Sequence, residues 1–77
     1  MPTPDQLRAA RALLNLTQGQ VSQMTGHTAK TIQRAETPGG ATVAPATVSA
    51  IRAALESAGV VFLPENGNGP GVALRKD

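Results

Sequence analysis

The sequence predicts a mainly α-helical domain of four helices, followed by a short C-terminal β-hairpin. Apolar residues recur at helical spacing through the first 59 residues, and capping residues, glycines and prolines divide this part into four segments. Two short β-favouring runs then flank the turn-rich sequence PENGNGPG. A chain of 77 residues makes one small domain. We divide it into a helical part, residues 1–59, and a hairpin with its tail, residues 60–77.

The first helix has a clear start signal. Thr3 is a capping residue, Pro4 suits the first helical position and Gln6 completes a capping box. Leucines and alanines then recur at helical spacing, and we expect the helix to end near Asn15.

The second helix is short and has its own start and stop signals. Thr17 and Gln20 form a second capping box, and Gly26 is placed to end the helix with positive φ. The spacing predicts that Val21 and Met24 point inward.

The third helix follows at once. Thr28 is its predicted cap, Ile32 its core residue, and it should run to about Glu36. The sequence Thr37–Pro38–Gly39–Gly40 then breaks the helix, and a loop is expected to Ala44.

The fourth helix is predicted from Pro45 to Ala58, with Gly59 as its stop and Ala44 as a poor cap. We expect one apolar face that includes Val48, Ile51, Leu55 and Ala58. The runs VVFL and VAL supply the hairpin strands, which must lean on the helices or pair with another chain because two strands alone are marginal in water.

Composition excludes several classes of protein. There is no cysteine, and the single histidine has no carboxylates at ligand spacing, so neither disulfides nor a metal site is expected. No apolar run reaches membrane-span length and no signal-peptide pattern is present, so we expect a cytoplasmic, nucleoid-associated protein. The net charge is only +2, although the pI is near 10.0. Two of the five cations between Met1 and Phe62 fall in the third helix.

The second and third helices together have the layout of a helix-turn-helix, residues 17–36. Two short capped helices flank a glycine, and polar side chains follow the second cap. In such a unit the second helix lies in the major groove of DNA.

This segment resembles the phage-repressor-like Cro/Xre family of helix-turn-helix domains, and the resemblance extends over roughly residues 4–59. The residues that carry it are Leu16–Thr17–Gln18, Val21, Gly26, Thr28, Thr31–Ile32 and Glu36. Two positions depart from the pattern: His27 stands where the family usually has an aliphatic residue, and Ala35 replaces a bulky apolar one. The implied fold is a four-helix repressor-like helix-turn-helix domain. The hairpin lies outside the common domain and is similar to a tail of some short bacterial members.

The resemblance implies DNA base contacts at positions equivalent to Ala29, Lys30 and Arg34, with Gln33 as an addition. Arg34 is the foremost candidate because its planar fork can bond guanine O6 and N7 together. The alternative is that Lys30 and Arg34 are merely solvated charges on a helix face.

The resemblance also places phosphate contacts on the motif. Gln18 and Thr28 are the main candidates, Thr17 lies beside Gln18, and Thr37 and Thr42 are weaker ones. Such contacts position a protein without specifying sequence. The alternative for Gln18 is a surface residue chosen for helix capping.

One ion pair is implied as well. Arg11 and Glu36 would pair across the first and third helices and fix the recognition helix to its scaffold; the alternative is two unrelated surface charges. His27 is expected to be a half-buried polar residue. Arg8 and Arg52 are expected to solvate their helices rather than to contact phosphate.

We therefore expect a bacterial-type, sequence-specific regulator that binds double-stranded DNA as a homodimer and represses transcription. No cofactor, small-molecule ligand or catalytic site is expected, since neither a phosphate loop in a strand–helix context nor an activated nucleophile is present. The alternative is an adaptor or antitoxin that uses the same scaffold to bind a protein partner. Non-specific chromatin-like binding would need more positive charge.

Overall fold

A computed structural model describes residues 1–39 and 42–76 and confirms a mainly α-helical chain with a C-terminal hairpin. Gly40 and Ala41, in the predicted loop, and Asp77, beside the basic end, lie outside the described residues. The elements are α1 (Pro4–Leu13), α2 (Gln18–Thr25), α3 (Ala29–Ala35), α4 (Pro45–Ser57), β1 (Val60–Leu63) and β2 (Gly71–Leu74).

Both predicted capping boxes are confirmed. Thr3 Oγ1 accepts the Gln6 backbone N–H at 3.1 Å, and Gln6 Oε1 accepts the Thr3 N–H at 2.8 Å. Thr17 and Gln20 repeat the arrangement at 3.0 and 2.8 Å. These bonds satisfy N–H groups that have no partner within the helix, and so they fix where α1 and α2 begin. The start of α4 has no side-chain cap at Ala44, as predicted.

The turns around α2 depend on backbone with positive φ. Gly26 ends α2 with a φ of +78°, a conformation that costs glycine little, and this prediction is confirmed. Asn15 has a φ of +57° between α1 and α2, and asparagine tolerates that region better than most residues.

The core lies where all four helices and β1 meet. Its largest buried side chains are Leu7, Val21, Ile32, Ile51, Leu55 and Val60. None of the helices in the described part of the chain has both the length and the apolar character of a membrane span.

The predicted inward direction of Met24 is wrong, since this side chain is 44% exposed. Successive residues of an α-helix are rotated by about 100° around its axis. The side of α2 that faces the core carries Val21, Ser22 and Thr25, which are buried or half-buried. Met24 points roughly 110° away from the middle of that side and therefore toward solvent. Ala58 is exposed too, because α4 ends at Ser57 and Ala58 is the cap residue.

The hairpin packs against the helices, as expected because two strands alone are marginally stable in water. It is antiparallel, with Val60 opposite Leu74 and Leu63 opposite Gly71. The Gln6 side-chain amide donates to the carbonyls of Leu63, at 3.1 Å, and Gly71, at 2.9 Å. Gln6 is itself buried, so it joins α1 to both strands at once. Sequence reasoning assigned Gln6 to the capping box alone.

Phe62 packs against the core from β1, and the Arg52 guanidinium lies 5.6 Å from the centre of its ring. Arg52 also pairs with Glu56 at 3.3 Å. Arg8 pairs with Asp5 at 2.7 Å on α1. Both arginines therefore have local partners on their own helices, in keeping with the expectation that they solvate those helices.

Candidate nucleic-acid interface

Helix α3 has one buried side and one exposed side. Ile32 and Ala35 are buried in the core, whereas the four predicted base-contacting residues are all exposed. Residues four apart lie on one helix face, which gives two adjacent rows: Ala29 with Gln33, and Lys30 with Arg34. The structure therefore brings the four together on the outer surface of α3.

The two cations on this surface have no ion-pair partner in the part of the chain that the structure describes. Within residues 1–39 and 42–76, neither Lys30 nor Arg34 is in an ion pair, while Asp5, Glu36 and Glu56 each face an arginine elsewhere. The exposed side of α3 therefore carries positive charge that is free to meet an anionic partner.

Glu36 is the buried acid at the end of α3. Its side chain is 5% exposed, and it accepts a two-pronged bond from Arg11: Nε to Oε2 at 2.8 Å and Nη2 to Oε1 at 3.0 Å. Arg11 Nη1 also donates to the Leu16 carbonyl at 2.9 Å. The hydrogen bond to Glu36 raises the pKa of Arg11 above its ordinary value, against the opposing effect of partial burial. The structure thus brings Arg11 and Glu36 together, and α3 is tied through them to α1 and, at Leu16, to the turn between α1 and α2.

Gln18 belongs to the same cluster. Its side-chain amide donates to Glu36 Oε1 at 3.2 Å, and the residue is half-buried. The first residue of α2 is therefore held against the last turn of α3. A glutamine serving helix capping alone would have no reason to make this bond, which joins residues 18 positions apart.

The three predicted threonine contacts are exposed and mark helix ends. Thr17 and Thr28 cap α2 and α3, and Thr28 Oγ1 also shares a hydrogen bond with Thr31 Oγ1 at 3.0 Å. Thr37 Oγ1 donates to the Gln33 carbonyl at 2.8 Å just after α3. The Thr17 hydroxyl accepts the Gln20 N–H and keeps its own proton for a further partner. The Thr37 proton is already donated to the Gln33 carbonyl, so Thr37 Oγ1 can only accept from a further partner. Thr42, the weaker candidate, is exposed in the loop.

Sequence reasoning missed how the turn between α2 and α3 is held. The Ser22 hydroxyl donates to the His27 carbonyl, and the Thr25 hydroxyl donates to the Val21 carbonyl at 2.9 Å. Thr25 Oγ1 accepts the His27 N–H at 3.3 Å. His27 is half-buried, as predicted. The sequence did contain a signal for these bonds: Ser22 and Thr25 lie within four residues of Gly26, and hydroxyl side chains near a helix end often bond to the backbone of the turn that follows.

The described residues contain no group of three histidine, cysteine, aspartate or glutamate side chains arranged to hold a metal ion. Comparison of the chain with protein-family models and with curated protein sequences gave no match. The Cro/Xre resemblance thus rests on the spaced residues from Leu16 to Glu36.

Proposed function

We propose that this protein is a sequence-specific, double-stranded DNA-binding regulator of the Cro/Xre helix-turn-helix type, which represses transcription by occupying its site. The observation that carries the proposal is the exposed side of α3. It presents Lys30, Gln33 and Arg34 together, with no ion pair to either cation in the described chain and with a buried anchor at the end of the helix.

In the proposed complex, α3 enters the major groove with this side against the base edges. Arg34 donates its two-pronged fork to guanine O6 and N7, and Gln33 can pair with adenine in the same manner. Lys30 donates to guanine or to a nearby phosphate. Ala29 is small enough to touch a thymine methyl group.

Gln18 has a double role in this proposal. A side-chain amide nitrogen has two N–H groups, and only one is engaged by Glu36 in the structure. The second can donate to a DNA phosphate. The Gln18 side chain would then bond both a DNA phosphate and Glu36 at the end of α3. The contact with the DNA backbone would therefore also fix the position of α3 relative to the groove. Thr17 and Thr28 would add contacts from the helix ends, and Thr37 would do so by turning its hydroxyl proton from the Gln33 carbonyl to the phosphate.

We propose that the protein acts as a homodimer, with a dimer surface formed by the C-terminal strands and α4. One short recognition helix reads only about four to six base pairs, whereas two half-sites one turn apart supply useful specificity. Strand alternation turns Val61 and Leu63 away from the core side of β1, and they are 39% and 42% exposed. Leu74 in β2 is 55% exposed. Truncation after Gly59 also removes the core residue Val60, so the sharper variant is Val61→Asp with Leu63→Asp, which should lose dimerisation while circular dichroism shows a folded protein. A double variant, or a chain truncated after Gly59, that remains fully dimeric would remove the hairpin from this part of the proposal.

The test is binding affinity to duplex DNA across a range of salt concentrations. A protein that contacts phosphates loses affinity linearly on a log–log plot as salt rises. Gln18→Ala should weaken binding to every sequence similarly and leave that slope nearly unchanged, because the glutamine side chain carries no charge. The matched control is Arg8→Ala, which removes one positive charge from α1 away from α3 and should leave the preference among sequences unchanged. No binding to any duplex at low salt would refute the proposal.

A second function is an adaptor or antitoxin that binds a protein. The observation in its favour is the hairpin, whose two strands each pair on one side only and which exposes Val61, Leu63 and Leu74. A partner could add a strand to an open edge. Co-purification of one defined protein, together with absence of duplex binding at low salt, would favour this function over the first.

A further inference from the structure

A pocket lies beside the C-terminal end of α3, bounded by the start of α1, by Thr37, Gly39 and Val43 between α3 and α4, and by α4. Its volume is about 210 Å³. The inner wall is apolar and consists of Leu7, Ala35, Val43 and Val48, which are buried or half-buried. The mouth is formed by exposed or half-buried residues, which are Met1, Pro2, Pro4, Arg34, Thr37 and Gly39.

The inner wall of the pocket includes the small side chain of Ala35. This residue is 4% exposed and faces the core from α3, yet it fills only the volume of a methyl group. Close-packed interiors leave few such spaces, and a space left open at a surface loses packing contacts on its lining. A bound molecule that filled the pocket would regain these packing contacts, and they would contribute to its binding free energy.

The lining also specifies the charge of an occupant. Among the described residues that line the pocket, Arg34 has the only charged side chain, and no aspartate or glutamate is present. Thr37 adds a hydroxyl at the mouth. Arg34 belongs to the mouth of the pocket, and its planar fork can bond both oxygens of a carboxylate whose small hydrocarbon group lies on the apolar wall.

The volume limits the size of that hydrocarbon group. An apolar cavity of about 150 Å³ holds benzene, whereas drug-sized ligands occupy pockets of about 300–1,000 Å³. A pocket of about 210 Å³ lies between these, which fits one six-membered ring or a chain of similar length with its carboxylate.

We propose that this pocket binds a small apolar monocarboxylate, with the hydrocarbon against Ala35, Val43 and Val48 and the carboxylate on Arg34. The consequence for DNA binding rests on the proposed function. The guanidinium that holds the carboxylate is the one assigned to read guanine, and it cannot make both two-pronged bonds at once. The carboxylate and DNA therefore compete, and the compound acts as an effector that releases the protein from its site.

The binding site is tested without DNA, by titrating the ¹⁵N-labelled protein with sodium benzoate and following its amide resonances. The largest changes should fall at Ala35, Val43 and Val48, with a dissociation constant of roughly 0.1–5 mM for so small a ligand. Benzamide, which is the same size but uncharged, should bind at least five-fold more weakly. Changes scattered over the surface, or equal binding of benzamide, would overturn the proposed site.

Two variants and their controls locate the contacts. Arg34→Gln should weaken benzoate binding at least five-fold, whereas Lys30→Gln, on the same helix but outside the lining, should leave it unchanged. Val48→Phe should fill the pocket and abolish binding, whereas Val61→Phe on the outer side of the hairpin should not. A thermal unfolding curve for each variant confirms that it is folded. Undiminished binding by folded Arg34→Gln would contradict the assigned carboxylate contact.

The competition is tested with duplex DNA at constant sodium concentration, comparing benzoate with acetate. Benzoate at ten times its dissociation constant should lower DNA affinity about ten-fold, and acetate should not. Benzoate binding that leaves DNA affinity unchanged would overturn the competition while leaving the pocket assigned. Benzoate binding by a protein that binds no duplex would support the pocket and refute the proposed function, so the two failures are distinguishable.

Discussion

Replacing Glu36 with alanine should destabilise the protein far more than replacing any other paired acid. Glu36 is 5% exposed and accepts three side-chain hydrogen bonds, two from Arg11 and one from Gln18. Glu36→Ala removes all three. It leaves Arg11 with the Leu16 carbonyl as its only remaining partner, in a site where the arginine side chain is 20% exposed.

The magnitude follows from these contacts. Breaking a fully buried pair by removing one partner costs about 3–5 kcal/mol, because the other charge is left uncompensated. Partial access to water and the bond to Leu16 reduce that penalty for Arg11, which gives about 2–4 kcal/mol. A core of this size stabilises a domain by only about 3–5 kcal/mol, so most of the free energy of unfolding would be lost. The midpoint of thermal unfolding should fall by roughly 10–30 °C.

The assay is thermal and urea unfolding followed by helical circular dichroism. The matched control is Glu56→Ala, which breaks the pair with Arg52 in which both side chains are more than 40% exposed. Exposed pairs contribute about 0–1 kcal/mol, so this variant should unfold close to the unsubstituted protein. Equal effects of Glu36→Ala and Glu56→Ala would refute the reasoning, since burial would then make no difference to the ion pair.

Three further predictions concern α3, the α2–α3 turn and the hairpin loop. Arg34→Ala should cost about 1–3 kcal/mol of binding free energy at the preferred DNA site and relax one base position, measured by fluorescence anisotropy; an equal loss on all sequences would make Arg34 a phosphate contact instead. Gly26→Ala should cost about 1–2 kcal/mol in urea unfolding, because φ is +78° although the added Cβ would meet no atom within 4 Å. Gly19→Ala, whose Cβ would only touch Thr17 Oγ1 at 3.7 Å, should stabilise the protein or leave it unchanged; the opposite order of these two variants would contradict the backbone explanation. Hydrogen bonds from the Gly69 and Gly67 N–H groups lower the pKa of Glu65 below its ordinary 4.5. The ionised Glu65 side chain should therefore stabilise the loop fully above pH 4.5, and this stabilisation should be lost as the pH falls through the lowered pKa. The amide resonances of Gly67 and Gly69 should titrate with a midpoint below 4.5, and a midpoint at or above that pH would contradict the bonds.

Sequence reasoning succeeded where the determinant is local. The capping boxes at Thr3 and Thr17 join residues three apart, so both partners of each interaction lie within four consecutive residues of the sequence. Gly26 acts through its own φ. These features set the helix starts and the turn, and all of them were predicted.

It failed where the determinant is distant or depends on which side of a helix is covered. The Gln6 amide bonds carbonyls 57 and 65 residues away, and no spacing rule connects them. Met24 has the helical spacing of a core residue, but α2 turns the side with Ser22 and Thr25 inward. The Arg11–Glu36 pair joins residues 25 apart and its prediction is confirmed, but that prediction came from the family resemblance and not from spacing. Spacing in the chain predicts a face; the neighbouring elements decide whether that face is buried.

The most direct test of the central claim is selection of bound duplexes from a random DNA pool in vitro. We expect a two-fold symmetric site whose half-site centres lie about 10 base pairs apart, with a guanine in each half. When the selection is repeated with the Arg34→Ala variant, this guanine should no longer be enriched. Enrichment of no sequence, or of the same sequence by Arg34→Ala and the unsubstituted protein, would contradict the claim that the exposed side of α3 reads DNA.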